Sequence, residues 1–212
     1  MGLVRRTVEV PQDVERRAAP RDRAGLIRRL HDPSADVRRW AALDLAAATV
    51  AGADAVIALA ARLAQEHDQA VREALLSTLA EIGGAAVVDA LVPYLRWEDA
   101  GVRNAVVECL GQIPACADVV PLLLADADAD VRVLTVMVLA SLRDPRVPGW
   151  LLDAVACDPD PNVCGAAIGE LTEVGDETAS AAIEAAAGRF PGDPFVAFAA
   201  RTFAARVLDG AR

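Results

Sequence analysis

Lysine is missing from this 212-residue chain and histidine occurs only twice, so all 21 basic side chains are arginines. Alanine fills roughly a fifth of the positions, a pattern that reads as GC-rich coding bias. The arginine count alone therefore says little about anion chemistry. Aromatic residues make up only 4%, and aliphatic side chains and alanine must build the core. Four cysteines in a chain of this length do not form a disulfide scaffold. No run approaches the roughly 18 uninterrupted apolar residues needed to cross a bilayer. The first residues, Met1-Gly2-Leu3-Val4-Arg5-Arg6, lack the apolar stretch of a secretory signal, and Arg6 stands where N-myristoylation requires Ser or Thr. A reduced, cytoplasmic protein is expected.

What is present is apolar and acidic: 54% hydrophobic residues and a formal charge of -10. Such a chain folds rather than staying disordered. Residues 1–39 carry ten arginines against six acids, whereas residues 40–212 carry eleven against twenty-five. An acidic body repels phosphate backbones, which disfavours nucleic-acid binding over most of the surface. Residues 1–20, with Pro11 and Pro20, read as a flexible arm preceding a single domain over 21–212.

A repeat organises the rest. Valine recurs as Val37, Val71, Val102, Val131, Val163 and Val196, at steps of 29 to 34 residues. Eight residues after the first five come Leu45, Leu79, Leu110, Leu139 and Leu171, and three further on Ala48, Ile82, Ile113, Leu142 and Val174. These offsets trace one apolar stripe on an α-helix. Three residues before each valine stands Ser34, Asp68, Asp99, Asp128, Asp160 or Asp193, each able to accept from the free N–H groups of a first helical turn. A second, shorter apolar segment follows, as in Val56/Leu59/Leu63, Val88/Leu91/Leu95 and Ala117/Val120/Leu124. Each unit of about 32 residues is then a helical hairpin, and hairpins that cannot bury both faces alone must stack. The expected fold is an all-α, right-handed α-solenoid of five to six hairpins, with a lead-in helix near 21–31 and a closing helix from Asp193.

Arginine follows the first four valines, as Arg38, Arg72, Arg103 and Arg132. Acids stand five residues before three of those valines: Asp32, Glu66 and Asp126. This acid and valine–arginine pattern resembles the HEAT repeat, in the short form of phycobilisome-lyase-like HEAT proteins, over residues 21–208. The resemblance implies a ladder in which each arginine reaches acidic groups between successive units. Trp97 replaces the acid before Arg103, and Cys164 replaces the arginine after Asp158.

Catalytic machinery is not apparent. The resemblance extends to hydroxylases that bind iron through repeated His-Glu pairs, but there is no His-Glu dipeptide here, since Asp32 follows His31 and Asp68 follows His67, and both histidines fall between units. Cys109/Cys116 and Cys157/Cys164 are spaced by seven, unlike the short chelates of zinc sites, and read as packing residues. No metal and no cofactor are expected. The candidate sites are therefore surfaces. Asp89 and Asp118 share a register on consecutive second helices, with Asp54 and Asp153 in neighbouring ones. Tyr94, Trp97, Glu98 and Asp99 cluster at the second junction, where aromatics ringed by charge suit a binding hot spot. Phe195, Phe198 and Phe203 lie on the closing helix, where they either cap the stack or dock another chain, such as a second copy.

The function expected is a non-catalytic adaptor or scaffold that binds a protein with basic surface on an acidic concave face. The alternative is an accessory or lyase-like protein handling a cofactor or chromophore, which the family resemblance implies and no single residue here demonstrates.

Overall fold

The computed structural model describes residues 22–47, 52–174 and 177–210. The N-terminal arm and Ala48 lie outside them. Twelve α-helices lie among the described residues: α1 (Arg23–Arg29), α2 (Ala35–Leu45), α3 (Ala53–Leu63), α4 (Gln69–Ile82), α5 (Gly84–Leu91), α6 (Ala100–Gly111), α7 (Val120–Leu124), α8 (Ala129–Leu139), α9 (Val147–Cys157), α10 (Pro161–Val174), α11 (Ser180–Arg189) and α12 (Pro194–Gly210). No strand occurs among the described residues.

Five of the six expected caps are made by side chains. Asp68 accepts from the Val71 N–H, Asp99 from Gly101 and Val102, and Asp128 from Asp130. Asp160 accepts from Asn162 and Val163, and Asp193 from Phe195 and Val196. Ser34 is the exception. It sits at the N-cap of α2 with no side-chain bond into the helix. Its own N–H nevertheless donates to Asp32 Oδ1 at 2.8 Å, just as those of Asp68, Asp128 and Asp160 do to the acids two residues before them.

The first helices α2, α4, α6, α8, α10 and α12 stack in sequence, and a second layer runs beside them through α1, α3, α5, the 114–118 turn, α9 and α11. Leu45, Leu79, Leu110, Leu139 and Leu171, the recurring leucines, are all buried between the layers. One apolar core continues from Leu26 to Phe203. The stripe ends before Val174, which is 50% exposed.

The second layer is least regular in the middle. Proline at the start of the segments Val92–Arg96 and Pro114–Asp118 coincides with tight 3₁₀ turns, and α7 is reduced to five residues. The α4–α5 corner needs no loop, because Gly83 (φ 60°) and Gly84 (φ 76°) both take left-handed backbone conformations closed to most side chains. At the far end Phe195 of α12 lies over Gly165 of α10. A Cβ at residue 165 would stand only 2.5 Å from the ring, so glycine is what allows the closing helix to seat.

Candidate functional site

The ladder is built where the first helices begin. Arg38 on α2 sends Nε and Nη2 to the two carboxylate oxygens of Glu66, each at 2.8 Å, in the following unit. Its Nη1 meanwhile donates to the carbonyls of Asp32 and Pro33. Arg132 on α8 repeats the arrangement with Asp158, at 2.8 and 3.0 Å, and with the Asp126 and Ala127 carbonyls. Planar bidentate pairing fixes both distance and orientation, so these rungs set how one unit sits on the next.

Glu66 is the most completely bonded acid described. Burial pushes its carboxyl up, but Arg38, the Asp68 N–H and Arg62 outweigh that and hold it at about 2. Asp32 does not join an interunit pair; it accepts from the Ser34 N–H within its own loop.

Two rungs differ. Opposite Arg72 the next unit offers Trp97 instead of an acid. Arg72 donates Nη2 to the Glu66 carbonyl, while its Nε is buried without a partner. Arg103 holds the Trp97 and Glu98 carbonyls through Nη1 at 2.6 and 3.0 Å. Asp126, the acid at the ladder position of the next unit, is bonded by Arg96 and by the Asp128 N–H. Sequence spacing could not reveal this exchange, since Arg96 lies off the valine–arginine register.

The surface acids do not form one free row. Asp54 pairs with Arg23 at 3.2 Å, and Asp118 lies 4.0 Å from Arg146. Asp89 and Asp153 are exposed. Asp99 serves as the cap of α6, and Glu98 contributes its carbonyl to Arg103. Trp97 is 44% exposed, with Tyr94 tilted against it at a ring separation of 5.3 Å.

Between α7 and α9 the second layer opens into a cleft of about 570 Å³. Trp150, Pro121 and Leu124 give it apolar walls, while Asp126, Asp153 and Asp158 bring carboxylates to it and Arg132 one guanidinium. Arg146 stacks on Trp150 with its carbon 4.8 Å from the ring centre. Trp150 was not singled out from the sequence; the spacing of four between Arg146, at the N-cap of α9, and Trp150 was the available signal.

Cys157 is exposed at the cleft edge, whereas Cys109, Cys116 and Cys164 are buried. Burial pushes the Cys109 thiol up to about 12 and Cys116 to about 11, which leaves both protonated and unreactive. His31 and His67 are exposed loop residues. Among the described residues no three His, Cys, Asp or Glu side chains converge as metal ligands, and no helix is long and apolar enough to cross a membrane. At the end of the stack Phe203 is buried, while Phe195 and Phe198 are 44% and 62% exposed.

Stacked helical hairpins joined by an internal arginine–acid ladder define a helical-repeat protein of the α-solenoid class. The chain belongs to the HEAT-repeat family, whose profile matches residues 23–111, 58–125 and 116–202. Solved structures similar to it include these three. An engineered protein is 22% identical, covering 87% of this chain and 96% of its own, with a TM-score of 0.39. Human deoxyhypusine hydroxylase is 16% identical over 95% of this chain and 92% of its own, with a TM-score of 0.41. The CpcE–CpcF complex of phycocyanin lyase from Nostoc is 17% identical over 97% and 100%, with a TM-score of 0.37. No curated protein matches the chain in sequence.

Proposed function

We propose that this HEAT-repeat protein is a non-catalytic adaptor that binds a basic segment of a protein partner along its second helical layer. The observation that supports the reading is the cleft between α7 and α9, where the Trp150 ring and the exposed Asp153 carboxylate face one 570 Å³ space. An arginine or lysine side chain entering there meets an apolar wall for its stem and a carboxylate for its head. The ladder keeps the two walls at fixed spacing, since Arg132 and Asp158 lie in that same cleft and are already saturated by each other. Asp89, exposed one helix further along the layer, extends the attraction, and the charge of -10 speeds encounter with a basic partner. A cytoplasmic setting accords with this reading.

The test is capture from a native lysate at low and high salt, with the wild type, Asp153→Arg, Asp89→Arg and Trp150→Ala as baits. A basic protein retained at low salt, released at high salt and lost with Asp153→Arg supports the adaptor. Retention that ignores salt and all three substitutions removes it. A coloured or metal-bearing bait that retains no protein moves the reading to an accessory of cofactor chemistry.

A further inference from the structure

The ladder contains an internal control. Arg38, Arg103 and Arg132 occupy equivalent positions, and each uses Nη1 to hold the carbonyls five and six residues before it. In Arg38 and Arg132 the remaining edge, Nε with Nη2, takes a carboxylate side-on. In Arg103 that edge has no acceptor among the described residues, because Asp126 is bonded by Arg96.

An ordinary surface arginine has a mobile head, and ordering it on binding costs rotamer entropy. Arg103 is different, because two carbonyls already hold its guanidinium and fix the direction of the open edge. The same loop presents Trp97, 44% exposed, with Tyr94 packed against it. Arginine and tryptophan are the side chains most enriched at binding hot spots.

We propose that Arg103, with Trp97 and Tyr94 beside it in the loop, is a receptor for a carboxylate carried by a protein partner, which completes the rung that Asp126 leaves open. The ligand class follows from the two completed rungs, where a planar pair of oxygens meets the Nε–Nη2 edge. A phosphate dianion suits the place less well, since Glu98, Asp99 and Asp126 belong to the loops at this junction and repel a second negative charge. The lining of the α7–α9 cleft shares Asp126 with this junction but includes neither Arg103 nor Trp97, so Arg103→Gln tests the receptor while leaving every residue of the cleft in place.

The experiment is selection from displayed linear peptides on the intact protein, in two formats: internal segments, and segments with free C-termini. The expected result is enrichment of an acidic residue at a fixed position, or of the free terminus, which also tells the two carboxylate sources apart. For a synthesised winner, changing its acid to the amide, or Arg103→Gln in the protein, is expected to weaken binding about ten- to a hundredfold. The two losses should not add in the double change. Arg103→Lys restores only part, for want of a planar fork. Arg96→Gln gives a second check that leaves Arg103 intact: Asp126 is then released to occupy the edge, and the peptide should bind more weakly. Peptides without a fixed acid, acidic peptides that ignore both Arg103→Gln and Arg96→Gln, or no enrichment at all would each overturn the proposal.

Discussion

Arg189 on α11 lies against Cys164, its Nη2 3.4 Å from the sulfur, and bonds the carbonyls that surround it. The same Nη2 is 2.6 Å from the Val155 oxygen and 3.4 Å from that of Asp158. In four units the ladder arginine bonds the carbonyl six residues before itself, and Asp158 holds that place relative to Cys164. The fifth unit thus recovers its missing arginine from a different helix. Cys164 adds a weaker bond of its own to the Asp158 carbonyl, at 3.4 Å.

Arg189→Ala is expected to cost about 1–3 kcal/mol, the range for losing charged hydrogen bonds to partly buried carbonyls. Arg189→Lys should recover a minority of it. Urea unfolding of the two variants checks this, and an unchanged midpoint in Arg189→Ala would show that the replacement contributes nothing.

Glu66 predicts a pH dependence. Its folded value of about 2 lies below the ordinary 4.5, so the stability it supplies is fully present above pH 4.5 and is lost as pH falls toward 2. The shift corresponds to a contribution on the order of 3 kcal/mol. Glu66→Gln should be less stable at pH 7, and the gap to wild type should close between pH 4.5 and 2. A gap that stays constant across that window would mean the pairing with Arg38 and Arg62 is energetically idle.

Arg72 is the converse case, a buried Nε with no acceptor. Trp97→Glu restores the acid at the ladder position and should raise stability by about 1 kcal/mol, or a melting point higher by about 2–4 °C for a chain of this size. In an Arg72→Met background the same substitution should lose that benefit. Equal effects in both backgrounds would place the gain elsewhere.

The closing helix packs on the stack with Phe203 buried and Phe195 seated over Gly165, and we expect it to act as a cap. Removing residues 193–212 strips the cover from α10, whose Ile168 and Ala167 are fully buried. Aggregation or strong dye binding by the truncated chain is expected, measured by light scattering and dye fluorescence. A soluble, cooperatively folding truncation would assign the helix to docking instead.

Spacing alone determined the helical stack of this protein. The six valines recur with an Asp or Ser three residues before each and, after the first five, a leucine eight residues on, and helix periodicity leaves such positions only one face to share. Burial of the leucines and capping by five aspartates follow from those local rules. Ser34 departs: its N–H donates to the acid two residues earlier as in the units of Asp68, Asp128 and Asp160, but its side chain makes no bond into α2. The partners across unit boundaries were decided by tertiary structure. Which acid an arginine meets depends on side chains converging from separate units, so Arg96 could draw Asp126 from Arg103, and Arg189 could reach Cys164 across 25 residues. The α7–α9 cleft was hidden for the same reason: it is a gap between helices, and a gap has no residue of its own to leave a pattern in the chain.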